Sequence, residues 1–430
     1  MPHIILAGTL DTKLQEFLYI HQQLQGLSTT TSSPLKITLI DCGRTNTQHE
    51  AITISQNDLV TRYGETEPKD LSKMQRGEII KYMIHCCTGC VKDLIKDGPV
   101  HGILGAGGSG GTSLVSAVMR DAAPLGLPKL IVSTVASGDT GPIVGETDIT
   151  LMNSVVDIAG SNELLLNVLS NAAGAMVGMS AAYERILEQR RKEVAQKAKR
   201  VTHIGITMFG VTTPCVNYIT QHLTEKYPVE IYIFHATGHG GKAMERLVEE
   251  GRLDAVLDLT TTEICDHLCG GNMSAGPRRL ETALSAGIPN IISLGATDMV
   301  NFGARSTVPA GYQNRLLLEH NPTVTLMRTM KEECEAIGKF VVEKIKTRAK
   351  NPEMVEVWIP QGGVSIVSTP GQPFADPEAD AALAEAIRKG LDGTNIRIVE
   401  DMRHINEKGF AIDIADSLMK IVSRRKGFDS

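Results

Sequence analysis

Short apolar runs alternate with longer amphipathic stretches along most of the chain. In the first half the runs at residues 3–7, 37–41, 102–104 and 129–134 are separated by stretches of helical periodicity, among them 12–25 and 77–97. Brief apolar runs bounded by turn formers suit strands buried on both faces, and helix-length spacers between them are the βαβ rhythm of a parallel sheet. The series restarts with runs at 202–208, 229–234, 254–259 and 290–294, and with helical stretches at 243–250, 278–286 and 324–346. Further helices are predicted at 376–392 and 402–424. Between the two series, residues 181–200 (AAYERILEQRRKEVAQKAKR) read as a charged, solvent-facing helix that marks a domain boundary. The predicted fold class is α/β, with two doubly wound, Rossmann-like domains of mostly parallel sheet, the first at 1–185 and the second at 186–430.

Length agrees, because 430 residues exceed the size at which a single core stops growing. A composition 42% hydrophobic but only 4% aromatic resembles helix-on-sheet packing more than a β-sandwich. Net charge is −6 and the basic residues are dispersed, so the footprint of a general nucleic-acid binder is missing. No apolar stretch is read as approaching the roughly 18 residues that span a bilayer. The first residues run straight into a strand without a basic leader. A cytoplasmic protein with no membrane partner is expected. Eight cysteines are ordinary usage for reduced thiols, and no structural disulfide is predicted.

The densest chemical signal is GAGGSGGT at residues 105–112, between an apolar run and a helix-like stretch. Glycines let successive backbone N–H groups converge on an anion, and the following helix directs its positive end to the same point. Gly107, Gly108, Ser109, Gly110, Gly111 and Thr112 are therefore candidate phosphate ligands. The spacing is neither a Walker loop nor the dinucleotide fingerprint in its usual place, and a tight turn that binds nothing would also use these glycines. A second anion-suited turn, GTLDTK, closes the first strand: Thr9 and Thr12 offer hydroxyls, Asp11 a metal or ribose ligand, and Lys13 a point charge, unless they only cap the helix. Asp41, ending the second strand, stands where an acidic residue meets ribose in dinucleotide folds. Ser133 and Ser137 end the fourth run, and Arg76 precedes a helix where it could clamp phosphate.

The second half gathers polar residues at successive strand ends: Thr212, Thr213, Gly238, Gly240, Gly241, Lys242, with His235, His239 and Asp298 as candidate catalytic groups. The two histidines suit a general-base pair or metal ligation, but no third ligand stands at clear spacing, so no metal is assigned from them. The halves echo each other, GTLDT with GVTTP, and the 107–112 loop with ATGHGGKAMERL, as a duplication would. Cys86, Cys87 and Cys90, and Cys265 with His267 and Cys269, lack zinc-knuckle spacing and read as buried thiols.

GTLDTK, GAGGSGGTSLVSAVMR, LPKLIVSTVASGDT, NSVVDIAG, FGVTTPCV, FHATGHGGKAMERL, LDLTTTEI, SAGPRRLE, LGATDMVNFG and HNPTVTLMRTM run in order through the whole chain. Together they resemble an uncharacterised two-domain family typified by the ATP-binding amino-terminal domain of the tomato mosaic virus resistance protein, an inhibitor of viral RNA replication. The resemblance implies binding of ATP with Mg2+, a homodimer, and nucleotide contacts at Thr9, Asp11, Thr12, Lys13, Arg76 and the 107–112 loop. Plant members continue into a TIM-barrel-like domain, which implies a TIM-barrel-like partner protein for a chain ending at Ser430. The sequence departs from the family pattern after Asp41, where CGRTNTQHEA stands. Three functions compete: an ATP-dependent enzyme or sensor of a small phosphorylated metabolite with an interdomain site, a nucleotide-gated protein-interaction module, and an enzyme of phosphorylated acids or sugars in which ATP is incidental.

Overall fold

Both faces of the first strand are covered: Ile4 and Leu6 point one way, Ile5 and Ala7 the other, and all are buried. That is the position of an inner strand in a parallel sheet with helices on either side. The computed structural model describes residues 1–30, 34–65, 70–195 and 201–428. It divides into two compact units, Met1–Ala198 and Lys199–Ser430.

Unit 1 runs β1 (His3–Gly8), α1 (Leu10–Thr30), β2 (Lys36–Asp41), α2 (Gln56–Tyr63), α3 (Arg76–Asp97), β3 (Gly102–Gly107), α4 (Ser109–Ala122), β4 (Lys129–Ser133), α5 (Gly141–Val144), β5 (Thr150–Asn153) and α6 (Glu163–Ala195). The five strands are parallel in the order β2-β1-β3-β4-β5. Phe17 and Leu24 of α1 join Leu169 and Met176 of α6 on one face, while Met83 and Cys87 of α3 join Val115 and Met119 of α4 on the other. Because β2 and β3 flank β1, the chain reverses its direction of travel across the sheet at β1, and the crevice between the carboxyl ends of β1 and β3 is the switch point.

α6 corrects two expectations. It starts at Glu163, well before residue 181, while 196–200 of the predicted charged helix lie outside the described residues. By length and composition it is also apolar enough to cross a membrane. Its Leu165, Leu169, Ala172 and Met176 are buried in the core of unit 1, the stripe of a helix packed on a sheet.

Unit 2 runs β6 (Thr202–Met208), α7 (Thr213–Lys226), β7 (Val229–His235), α8 (His239–Glu249), β8 (Ala255–Thr260), α9 (Thr262–Cys269), α10 (Glu281–Ala286), β9 (Asn290–Gly295), β10 (Met299–Phe302), β11 (Leu317–Asn321), β12 (Val324–Arg328), α11 (Lys331–Arg348), β13 (Val355–Pro360), α12 (Pro377–Leu391), β14 (Arg397–Asp401) and α13 (Lys408–Phe428). Six strands form a parallel sheet, β14-β13-β9-β8-β6-β7, and β10-β12-β11 form a small antiparallel one. The helix predicted over 324–346 is thus a strand followed by a helix. Val324–Arg328 pairs with both β10 and β11, and α11 begins only where Glu333 accepts the Met330 N–H at 2.7 Å. All eight cysteines are buried free thiols.

Candidate functional site

The sequence places both anion-suited turns of unit 1 at one spot. β1 ends in Gly8 and β3 in Gly107, the strands are neighbours, and their turns flank the switch point. α4 starts at Ser109 with Gly108 as its N-cap and no side-chain cap, so the first-turn N–H groups around Ser109, Gly110 and Gly111 face the crevice uncapped. A Cβ on Gly107 would stand 2.9 Å from the Gly111 Cα, so that glycine lets the strand end lie against the helix start. Arg76, the first residue of α3, is brought to the same place: a Cβ on Gly110 would stand 3.1 Å from its Nη2. Arg76 is exposed and forms no ion pair among the described residues. Thr12, in the first turn of α1, is exposed, its hydroxyl 3.2 Å from that of Thr9.

Asp41, Thr112, Ser133 and Lys13 are instead engaged within the fold, which corrects their assignment. Asp41 is wholly buried and accepts the N–H groups of Leu10 (3.2 Å), Gly43 (2.9 Å) and Thr47 (3.0 Å), so it staples the loop after β2 to the start of α1 and offers ribose no free face. Burial raises its pKa, against the pull of those donors. Thr112 and Ser133 are buried with their hydroxyls 2.7 Å apart, which ties the turn after β3 to the end of β4. Lys13, where α1 leaves helical geometry (φ −137°, ψ 26°), donates its ammonium to the Ile158 carbonyl. Asp11 Oδ2 accepts from Arg44 N (2.8 Å) and Thr45 N (3.3 Å), while Oδ1 accepts nothing among the described residues. Ser137 is exposed.

In unit 2 the equivalent crevice lies between β6 and β8. Its turns therefore involve Thr212 and residues 260–263, not the glycine-rich 236–241 segment, which follows the edge strand β7. The counterpart of the 107–112 loop is thus TTTE, which corrects the apparent repeat. Its hydroxyls are consumed internally: Thr260 meets Thr212 at 2.7 Å, Thr261 donates to Ser293 O at 3.1 Å, and Thr262 donates to Met299 O at 3.2 Å. Thr213 donates to Phe209 O at 3.1 Å. Gly238 and Gly241 do present converging N–H groups, but both donate to Glu263 Oε1, at 2.7 and 3.0 Å. Gly240 is glycine because a Cβ there would collide with the His235 carbonyl.

His235, His239 and Asp298 do not line one open pocket. Both histidines are exposed, His235 with its ring 5.3 Å from that of Phe209. Asp298 is fully buried and accepts from Ser365 Oγ at 2.7 Å; burial pushes its pKa up to about 6. Lys242 is half-buried in α8. Arg279 is surrounded by Glu263, which the run of polar residues at 260–263 already singles out, and by Glu245 and Asp258, which sequence reading missed along with Arg279 itself. Arg279 is 1% exposed, and its guanidinium bonds Glu263 (2.8 Å), Glu245 (3.2 Å) and Asp258. The available signal was Asp258 inside the apolar strand β8, a position that demands a buried partner. Among the described residues no cluster of three or more His, Cys, Asp or Glu is arranged to hold a metal.

Two parallel, doubly wound units, with two glycine-bearing turns converging at the switch point of the first, define a Rossmann-like α/β protein. The chain belongs to the uncharacterised protein family UPF0261, whose N-terminal domain matches residues 2–185 and whose C-terminal domain matches 201–422. It is similar to a UPF0261 protein of Clostridium tetani, at 41% identity over 98% of this chain and 99% of that one. It is also similar to the ToMV resistance protein Tm-1(GCR237) of Solanum lycopersicum, at 37% identity over 98% of this chain but 56% of that protein, so the chain spans about half the tomato protein's length. A solved UDP-GlcNAc 2-epimerase from Neisseria meningitidis aligns at 13% identity over 90% of this chain and 100% of its own, with a TM-score of 0.21, which carries no argument about fold or ligand.

Proposed function

We propose that unit 1 binds a nucleotide, ATP with magnesium, with its phosphates at the start of α4. One observation carries this reading: the glycine-rich first turn of α4, without a side-chain cap, lies at the switch point, with the Arg76 guanidinium, which forms no ion pair among the described residues, against Gly110. Backbone N–H groups, the helix dipole and a guanidinium are complementary to a phosphate on three counts. Asp11 Oδ1 accepts no hydrogen bond among the described residues, which suits a magnesium that takes its remaining ligands from phosphate and water. The burial of Asp298 separates it from the exposed histidines and favours a nucleotide-gated binding or sensing protein over catalysis by that trio. The tomato relatives, described by resistance or susceptibility to a virus, are compatible with an output through a partner.

Calorimetric titration with ATP, with and without magnesium, tests the reading. Arg76→Ala is expected to weaken binding roughly ten- to a hundredfold, the worth of one charge-assisted phosphate contact. An unchanged affinity would remove Arg76 from the site.

A further inference from the structure

The amino end of α8 has the shape of an anion site. Gly238, held at φ +87°, and Gly241 aim their N–H groups at one point, where the first turn of an eleven-residue helix adds its dipole. That point is filled by the Glu263 carboxylate, whose other oxygen takes the Nε–H of the buried Arg279 at 2.8 Å. Fit is tight: a Cβ on Gly241 would collide with Glu263 Oε2 and lie 2.7 Å from Arg279 Nε.

We infer that the glycine turn heading α8 is an anion cradle whose occupant is the chain's own Glu263, so that unit 2 takes up no phosphate there and the protein carries one nucleotide per chain. Only the count of one rests on the unit 1 reading. The surroundings set the class of anion the cradle accepts. Three carboxyl groups, Glu245, Asp258 and Glu263, share one guanidinium, and Asp258 Oδ2 is buried without a hydrogen-bond partner. Burial raises the Asp258 pKa to about 6 against the pull of Arg279, and the Glu245 and Glu263 carboxylates add to the rise. With Asp258 and Glu245 still in place, a vacated cradle takes a small monoanion of carboxylate shape and repels a phosphate dianion.

The test is chemical rescue. Glu263→Ala removes the internal anion but leaves both N–H donors and Arg279. Sodium formate is expected to raise its melting temperature by roughly 2–4 °C over equal sodium chloride, whereas inorganic phosphate does not. Wild type and Glu263→Gln, whose cradles stay filled, are expected to show no formate-specific shift. Equal formate shifts in wild type and Glu263→Ala, or a Glu263→Ala protein as stable as wild type without formate, would overturn the inference. If Glu263→Ala folds only when refolded in formate, the inference stands; if it fails there while Glu263→Gln folds, the inference falls. An ATP titration reads the count. One site per chain, abolished by Gly110→Val, agrees; a second site surviving that substitution contradicts it. No ATP binding at all would count against the unit 1 site alone, because the formate result still decides the cradle.

Discussion

At the level of single residues, the buried carboxyl groups decide more than the exposed ones. Gly43 is the point of contact between Asp11 and Asp41: a Cβ there would stand 2.7 Å from Asp11 Oδ1 and 3.0 Å from Asp41 Oδ1. Gly43→Ala is therefore expected to cost roughly 1–3 kcal/mol and to weaken ATP binding by disturbing Asp11, readable by melting and titration of the same sample. Asp298 gives a pH prediction. Its folded pKa, about 6, lies above the unfolded value near 3.8, so the folded protein holds this proton longer as pH rises. The favourable contribution is present below about pH 4 and is lost between about pH 4 and 6, on the order of 3 kcal/mol. Asp298→Asn is expected to flatten that fall in a series of denaturant melts; an unchanged slope would show that Asp298 does not titrate in this range. These side chains also mark the limit of sequence reading. Gly110 stood out in a glycine-packed turn, whereas Arg76 was singled out only through the family resemblance, since most arginines at helix starts are simply solvated; that the two lie side by side is a matter of the fold. The inward turn of Asp41 and Asp298 was not legible, because a carboxylate at a strand end looks the same in sequence whether it meets a ligand or a backbone N–H.

Among the elements, turns after strands are pinned by hydroxyl pairs, Thr112 with Ser133 in unit 1 and Thr212 with Thr260 in unit 2. Thr112→Val keeps the shape but removes the hydroxyl that bonds both the Gly107 carbonyl and Ser133 Oγ, leaving the latter only the Val135 N–H among the described residues. It is expected to cost roughly 1–3 kcal/mol while leaving ATP affinity unchanged, since the hydroxyl faces the fold; a large loss of affinity in a stable protein would return Thr112 to the ligand. The inner strands and their covering helices were legible from apolar period alone, as at β1 and β6. β10 to β12 were not. Their runs are short and their stability comes from pairing with one another, so the Val324–Arg328 strand merged in sequence with the helical pattern of α11. The same limit made the 236–241 glycines look like a copy of the 107–112 loop. Only strand order shows that they follow an edge strand and that TTTE holds the equivalent place.

For the whole molecule, two units share an architecture and differ in what fills their crevices. Among the described residues, the turns of unit 1 leave N–H groups and a guanidinium without partners; in unit 2 the threonine hydroxyls of the equivalent turn are spent within the fold, and the N–H groups of the glycine turn after the edge strand go to Glu263. That asymmetry is the basis for assigning nucleotide to the first unit. It is tested most directly by titrating wild type and Gly110→Val with ATP and magnesium in a calorimeter, with melting curves to show that both are folded. The account predicts saturable binding to wild type and none to a folded Gly110→Val protein, in which the new side chain pushes Arg76 aside and blocks the approach to the first turn of α4. Equal binding by the two proteins would contradict it.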